Sequence, residues 1–321
     1  MNIRRLLAVW SARLIKTACQ LTGKQGVTLA GKIALSIYPP ILKELAGEVK
    51  KEIFVVCGTN GKTTTNNLLA SVLEEDGYKV VCNRTGSNML NGVASAFVLS
   101  AGLSGHLKAD YACIEIDEAS TVRVFPHFCP DYMVLTNLFR DQLDRYGEID
   151  ITMDLLSRAM KMAPDMKVLV NGDDSLSTYL ALENENPHFT FGIGQQVFRK
   201  EDTREIREGR FCKRCGEKME YNFYHYSQLG DYYCPGAALN VPNWTLTGPM
   251  YPLPRALPLM WEISISKPIT GDFIMFTISW LFMEPQPWQG FPWKISIKSL
   301  EIIPLSSAGT SCFRSPIPKL C

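Results

Sequence analysis

The chain has 321 residues, enough for two domains and a large core, and its 33 basic and 32 acidic side chains nearly cancel. That balance excludes nucleic-acid binding driven by net positive charge. No run of about 20 apolar residues occurs, so a spanning helix is not expected.

Residues 3–22 place Leu6, Leu7, Val9, Trp10, Leu14 and Ile15 among Arg4, Arg5, Arg13 and Lys16, which predicts a basic amphipathic helix. Two roles are open to it: packing on its own domain, or peripheral contact with an anionic membrane surface. The start is basic but has no continuous apolar region and no small-residue cleavage site, so it does not read as a signal peptide. Pro39-Pro40 closes this N-terminal segment, taken as residues 1–45.

The next stretch organises the rest. Residues 53–56 form a short apolar run expected to be a buried strand, and residues 66–75 favour a helix. Between them lie Gly58, Thr59, Asn60, Gly61, Lys62, Thr63 and Thr64. Strand, glycine loop, Lys-Thr and helix is the layout of a phosphate-binding P-loop. Backbone N–H groups and the helix N-terminus would face an anion, Lys62 would add a point charge, and the Thr63 hydroxyl stands where a Mg²⁺ ligand is needed. The general pattern also asks for glycine five residues before Gly61, and Val56 stands there instead. The competing reading is a plain glycine-rich turn.

Further strands are expected at 79–82, 111–116, 133–135 and 168–170, with a polar, glycine-bearing loop at 83–92 leading into another helix. They alternate with helical stretches of ten or so residues, the signature of a parallel α/β sheet. Their carboxyl ends carry Glu115, Asp117 and Glu118, then Thr136 and Asn137, then Asn171, Asp173 and Asp174. Polar groups there converge on the crevice where such sheets bind ligands. Mg²⁺ carried by ATP takes one or two carboxylates beside water and phosphate, and this acidic strand end can supply them. Asp117 and Glu118 either shape the site or are solvated.

Among ten cysteines, Cys57, Cys82, Cys113 and Cys129 lie in or beside apolar runs that read as core. With a nucleotide loop present, this points to a reducing cytoplasm, at most at the inner face of the membrane. The stretch 201–236 holds Cys212-x2-Cys215 and, after eighteen intervening residues, Cys234. Paired Cys-x2-Cys knuckles are a structural zinc signal, but the fourth position is Ala237, with His225 the available substitute. Three thiolates predict a weakened Zn²⁺ site.

The heptapeptide at 58–64 resembles the Mur ligase superfamily, ATP-dependent enzymes that activate a carboxylate as an acyl phosphate. The resemblance implies a central-type P-loop domain over 46–200 with a parallel-rich sheet, and it aligns Glu115 with the family's strand-end Mg²⁺ ligand. Thr136-Asn137 and Asp141-Gln142 look like the family's next signature, with Asn137 and Asp141 lining the nucleotide crevice. Gln142 stands where many members have a histidine for a second Mg²⁺, and its amide is a weaker, neutral oxygen ligand. Asn83-Arg84, Ser87-Asn88-Met89, residues 141–147 and the cysteine insert together resemble the MurT subunit family of lipid II isoglutaminyl synthases, over residues 1–236. That family uses ATP to activate the D-glutamate α-carboxyl of the peptidoglycan precursor lipid II, and ammonia from a GatD-type glutaminase partner makes D-isoglutamine. A Mur or folylpolyglutamate-type ligase that adds an amino acid, and a non-catalytic zinc-ribbon module, are the alternatives.

From 237 the character changes. Residues 237–321 hold 12 of the 19 prolines, five of the six tryptophans and only four acidic residues. Prolines interrupt nearly every candidate strand, and local preference and pattern disagree. Residues 236–243 can be encoded so that reading from the third base gives Cys-Gly-Phe-Lys-Arg-Pro-Glu, restoring the missing cysteine at the expected spacing. A second family-like, Asn-rich stretch emerges in the same frame from residues 272–284. This segment therefore reads as an irregular, out-of-frame tail. The family's C-terminal domain, which holds its catalytic aspartate and docks the glutaminase, then has no counterpart here, and little or no ligase activity is expected.

Overall fold

In the computed structural model, residues 2–23, 26–139, 148–193, 208–236, 239–242, 246–247, 264–266 and 275–277 are described. Three helices come first: α1 (Ile3–Leu21), α2 (Val27–Ile37) and α3 (Ile41–Ala46). Then strands and helices alternate: β1 (Ile53–Cys57), α4 (Lys62–Glu75), β2 (Val80–Cys82), α5 (Leu90–Ser100), β3 (Tyr111–Glu115), α6 (Thr121–Val124) and β4 (Tyr132–Leu135). After these come α7 (Glu148–Met162), β5 (Lys167–Asn171), α8 (Ser175–Leu182) and β6 (His188–Gly192). The insert contributes the hairpin β7 (Glu220–Tyr226) and β8 (Leu229–Tyr233). The tail adds only β9 (Leu246–Thr247), β10 (Ser264–Ser266) and β11 (Met275–Thr277) among the described residues.

The main sheet runs β2-β3-β1-β4-β5-β6-β9 with every neighbouring pair parallel. β1 and β3 are buried along their whole length, so these strands are apolar on both faces rather than alternating. Successive side chains still divide between two layers. Val55, Ile114, Met133 and Val168 face a large core shared with α1–α3, α5, α7 and α8. Phe54, Cys113, Val134 and Leu169 face a smaller one closed by Leu69, Ala70 and Leu73 of α4. Because β1 lies between β3 and β4, the carboxyl ends of these three strands lie side by side, on the edge where such sheets bind ligands.

The N-terminal helix does pack on its own domain. Leu6, Ala8, Val9 and Ala12 are buried against the same core as Ala30 and Ala34 of α2. Small residues bring α2 close to α5: a Cβ on Gly31 would lie 1.9 Å from the Asn91 carbonyl oxygen. Arg5 bonds Glu44 (3.2 Å), Glu48 (2.6 Å) and the Gly105 carbonyl (2.8 Å), and Arg13 donates to the Leu99 and Ala101 carbonyls at the end of α5. The latter is the favourable place for a cation at a helix C-terminus. Ile3, Leu7, Trp10 and Leu14 nevertheless stay 48–72 % exposed.

Two expectations need correction. The helix after the glycine loop starts at Lys62 rather than 66, because Gly61 takes a left-handed turn (φ 82°) that commits the next residue to the helix. Cys129 is exposed rather than core, on the turn before β4, while Cys57 and Cys113 are buried as expected and Cys82 partly so. Burial pushes the Cys57 and Cys113 thiols well above their ordinary range, which makes them inert packing groups.

Candidate functional site

The loop from β1 to α4 is shaped by its neighbours. Gly58 has φ 122°, and a Cβ there would lie 2.2 Å from the Thr136 hydroxyl oxygen and 2.8 Å from the Asn137 carbonyl oxygen. Glycine is therefore required by both conformation and space. The end of β4 interlocks with this loop. Asn60 N–H donates to Asn137 Oδ1 (3.0 Å), and Asn137 Nδ2 donates back to the Asn60 carbonyl (3.1 Å). Thr59 N–H donates to the Asn137 carbonyl (2.8 Å), Phe139 N–H donates to the Thr59 hydroxyl (2.9 Å), and the Thr136 hydroxyl donates to the Asn60 carbonyl (2.8 Å). The first turn of α4, whose N–H groups lack intrahelical acceptors and favour an anion, begins directly after this loop at Lys62.

Lys62 sits over the loop, its Nζ donating to the Gly58 and Thr59 carbonyls and to Glu118 Oε1 (3.1 Å). Glu118 Oε1 also accepts the Gly58 N–H (2.8 Å), so this carboxylate shapes the loop rather than standing solvated. Asp117 instead accepts the Ser120 hydroxyl at 3.2 Å. Sequence reasoning left this pair open because a strand-end carboxylate carries no sign of what it faces.

Thr63 and Glu115 meet: the Thr63 hydroxyl donates to Glu115 Oε2 at 2.7 Å. Parallel pairing of β1 with β3 sets Val56 beside Glu115 and so fixes the carboxylate next to the loop. Asn83, 5 % exposed, grips the Glu115 backbone on both sides, accepting its N–H (2.8 Å) and donating to its carbonyl (2.8 Å). Asn88 Nδ2 donates to Glu115 Oε1 (3.0 Å). A hydroxyl and a carboxylate held together at the mouth of a glycine loop form a hard oxygen set that fits Mg²⁺. In the sequence Asn83 and Asn88 stood out as parts of a polar loop and of the family-like motifs, but not as partners of Glu115. Gly58 to Thr64, Asn137 and Glu115 are thus assembled in one place, while Asp141 and Gln142 fall outside the described residues.

Behind β4 lies a buried polar cluster at the end of β5. Asp174 caps α8, accepting the Leu176 N–H (3.3 Å) and the Ser177 hydroxyl (2.5 Å), and it also accepts the Leu138 N–H (2.8 Å). Asp173 accepts the Ile193 N–H (2.9 Å). Burial pushes the Asp173 carboxyl up to about 7, with the Ile193 N–H opposing and the Asp231 and Asp174 charges adding. Asp173 thus favours its protonated form in the fold. Its contribution to stability is full below about pH 4 and is lost as the pH rises through about 7. Asp173→Asn keeps the acceptor without the charge, and is expected to flatten the stability profile across that window by on the order of 2–4 kcal/mol in urea unfolding.

In the insert, the Sγ atoms of Cys212, Cys215 and Cys234 lie within 4.8 Å of one another. The knuckle is closed by Gly216 N–H to the Cys212 carbonyl (2.9 Å) and Cys212 N–H to the Glu217 carbonyl (2.8 Å). Burial works against the Cys212 thiolate, but the N–H groups of Cys215 and Arg214 and the thiols of Cys234 and Cys215 outweigh it and hold this thiol below its ordinary range. Such a set suits a thiophilic ion. Ala237 lies outside the described residues, as does the side chain of His225.

Comparison with known proteins agrees with this geometry. The chain is 36% identical over 232 residues to the lipid II isoglutaminyl synthase (glutamine-hydrolyzing) subunit MurT of Staphylococcus aureus (strain COL), covering 72% of this chain and 51% of that protein. It is 35% identical over 245 residues to the protein of the same name from Streptococcus pneumoniae (strain ATCC BAA-255 / R6), covering 76% of this chain and 53% of that one. The chain thus spans about half the length of the curated relatives it matches. The pseudomurein peptide ligase type C of Methanothermus fervidus shares the fold, with TM-score 0.51 at 23% identity over 64% of this chain and 39% of that one. The Mur ligase middle domain is matched over residues 56–233, from the end of β1 through the hairpin of the insert. A match across more than half of the chain, with the glycine loop and the strand-end glutamate inside it, places this protein in the Mur ligase family.

Proposed function

We propose that residues 46–236 are the ATP-activating part of a lipid II isoglutaminyl synthase. The observation that carries this reading is the Thr63–Glu115 contact beside a P-loop locked by Asn137, in a chain whose relatives bear that name. Lys62 and the loop N–H groups would hold the β- and γ-phosphates, and Thr63 and Glu115 the Mg²⁺. Asn137 would keep the loop in shape, and Asp141 would line the crevice. The bound Mg–ATP would supply the phosphoryl group for an acyl phosphate on the D-glutamate α-carboxyl of lipid II. Ammonia from a glutaminase subunit would then complete the amide, in a cytoplasmic setting.

We further infer that residues 237–321 are translated out of frame; the shifted reading of residues 236–243, which restores a cysteine three positions after Cys234, supports this. Inserting one base at codon 236 is expected to yield a protein that, with glutaminase, glutamine and MgATP, forms isoglutamine on lipid II. The 321-residue chain is expected to form little. Substantial amidation by the 321-residue chain would sink the frame reading. Preference for an amino acid over ammonia in the restored protein would favour the amino-acid ligase instead.

For the insert, we infer one zinc ion on Cys212, Cys215 and Cys234, held more weakly than by four ligands. Titration with Co²⁺ is expected to give thiolate-to-metal absorbance that disappears in Cys215→Ser; its persistence there would count against the site. The exposed stripe Ile3, Leu7, Trp10 and Leu14, on a helix with Arg4 and Lys16 and no acidic residue, is assigned to an anionic membrane surface. Leu7→Glu with Leu14→Glu is expected to abolish co-sedimentation with phosphatidylglycerol vesicles, and wild-type protein that never sediments with them would refute the contact.

A further inference from the structure

The hairpin of the insert does not hang free of the nucleotide site. Its turn, where Ser227 takes a left-handed conformation (φ 49°), buries Gln228 to 1 % exposure. Gln228 Nε2 donates to the Leu138 carbonyl (2.7 Å) and to Asp174 Oδ1 (3.2 Å), and its Oε1 accepts the Gly209 N–H (3.0 Å). The next residues reinforce the contact, since the Gly230 N–H donates to the Asp173 carbonyl at 2.9 Å. Leu138 lies between Asn137 and Phe139, the two residues that bond Asn60 and Thr59. Both backbone polar groups of Leu138 are therefore fixed from behind: the N–H by Asp174 and the carbonyl by Gln228.

The other end of the same hairpin runs directly into the cysteine cluster. β8 ends at Tyr233 and Cys234 follows. Cys212, Cys234, Met219 and Tyr232 form a small core that packs against Tyr179 of α8, the helix that Asp174 caps. A continuous line of buried contacts thus joins the thiolate cluster, the hairpin, Gln228 and the segment that locks the glycine loop.

We propose that Gln228 is a positioning residue for the nucleotide loop, and that the cysteine-bearing insert is a strut whose order sets nucleotide affinity. The proposal rests on the reading of residues 58–64 as a nucleotide site. Its physical basis is that a buried carbonyl left without a donor is costly, so losing Gln228 lets Leu138 shift and loosens Asn137 against Asn60. Coupling of this kind is reciprocal: what the hairpin does for the nucleotide, the nucleotide does for the hairpin.

Two measurements on the full chain test it, with Mg–AMP-PNP as probe. Gln228→Met keeps the length of the side chain and removes its polar atoms; calorimetry is expected to show about fivefold to tenfold weaker binding than wild type. Gln228→Glu, which retains the acceptor for Gly209 but not the donor for Leu138, is expected to lose affinity as well. In wild type, Mg–AMP-PNP is expected to slow hydrogen exchange at the Gly230 amide, whose acceptor is the Asp173 carbonyl, and this slowing is expected to vanish in Gln228→Met. A residue that only stabilises the insert would leave Gly230 exchange indifferent to the nucleotide. Wild-type affinity in Gln228→Met, or Gly230 exchange unmoved by nucleotide in wild type, overturns the strut while leaving the nucleotide site intact. The wild-type exchange measurement decides the matter even where a variant fails to fold. No binding of Mg–AMP-PNP by wild type would overturn the nucleotide reading itself, and the strut with it.

Discussion

Lys62→Ala is expected to weaken MgATP binding by at least about tenfold, because a charge-assisted hydrogen bond contributes about 1.5–3 kcal/mol. Lys62 is the one cation bonded to the glycine loop among the described residues, and it is held there by the Gly58 and Thr59 carbonyls and Glu118. The fold is expected to survive, since Glu118 keeps its bond to the Gly58 N–H and the loop keeps its bonds to Asn137. Calorimetry with an unchanged far-ultraviolet circular dichroism spectrum checks both halves. Lys62→Arg is not expected to restore affinity in full, because a planar fork cannot occupy the position of a compact ammonium. Wild-type affinity in the alanine variant would show that the loop does not bind phosphate through this side chain.

Gly58→Ala is expected to be strongly destabilising. The new carbon would lie 2.2 Å from the Thr136 hydroxyl oxygen and 2.9 Å from the Asn137 nitrogen. Thr136 and Asn137 are themselves buried to 0 % and 1 % exposure and cannot withdraw. Overpacking contributes about 1–3 kcal/mol and the left-handed backbone a similar amount, so urea unfolding should show a loss of about 3 kcal/mol or more, with nucleotide binding lost too. Gly23→Ala is the matched control. Gly23 also has a positive φ (74°), but nothing lies within 4 Å of its would-be Cβ, so only the backbone cost of about 1 kcal/mol is expected. Equal losses in the two variants would mean that close approach to β4 is not what Gly58 provides.

The sheet and the loop were legible because their signals are local. Short apolar runs with polar carboxyl ends marked β1, β3, β4 and β5, and the Gly58–Thr64 pattern marked the loop between β1 and α4. Glu115 was singled out by its alignment with the family's strand-end glutamate, and parallel pairing brings it to Thr63. What escaped was every residue whose role depends on register between distant segments. Glu118 is an ordinary acid in the sequence, and only the close approach of residues 116–118 to the loop reveals that it bonds Gly58 and Lys62. Gln228, 90 residues from Leu138, carries no sequence mark at all. The N-terminal helix shows the same limit differently: its period announced an apolar face, but not that Leu6, Ala8, Val9 and Ala12 would be the buried set while Leu7 and Trp10 stayed outside. Cys129 misled because apolar neighbours in sequence do not ensure burial at a turn.

These features converge on one claim, that residues 58–64 and Glu115 together hold Mg–ATP. Calorimetric titration of the full chain with ATP, in Mg²⁺ and then in excess EDTA, tests it most directly, with Glu115→Gln beside wild type. The account predicts a single site whose affinity falls about tenfold or more on removing Mg²⁺, and falls less in Glu115→Gln than in wild type because the metal ligand is already impaired. ATP affinity that is the same with and without Mg²⁺, or no binding by wild type, would contradict it.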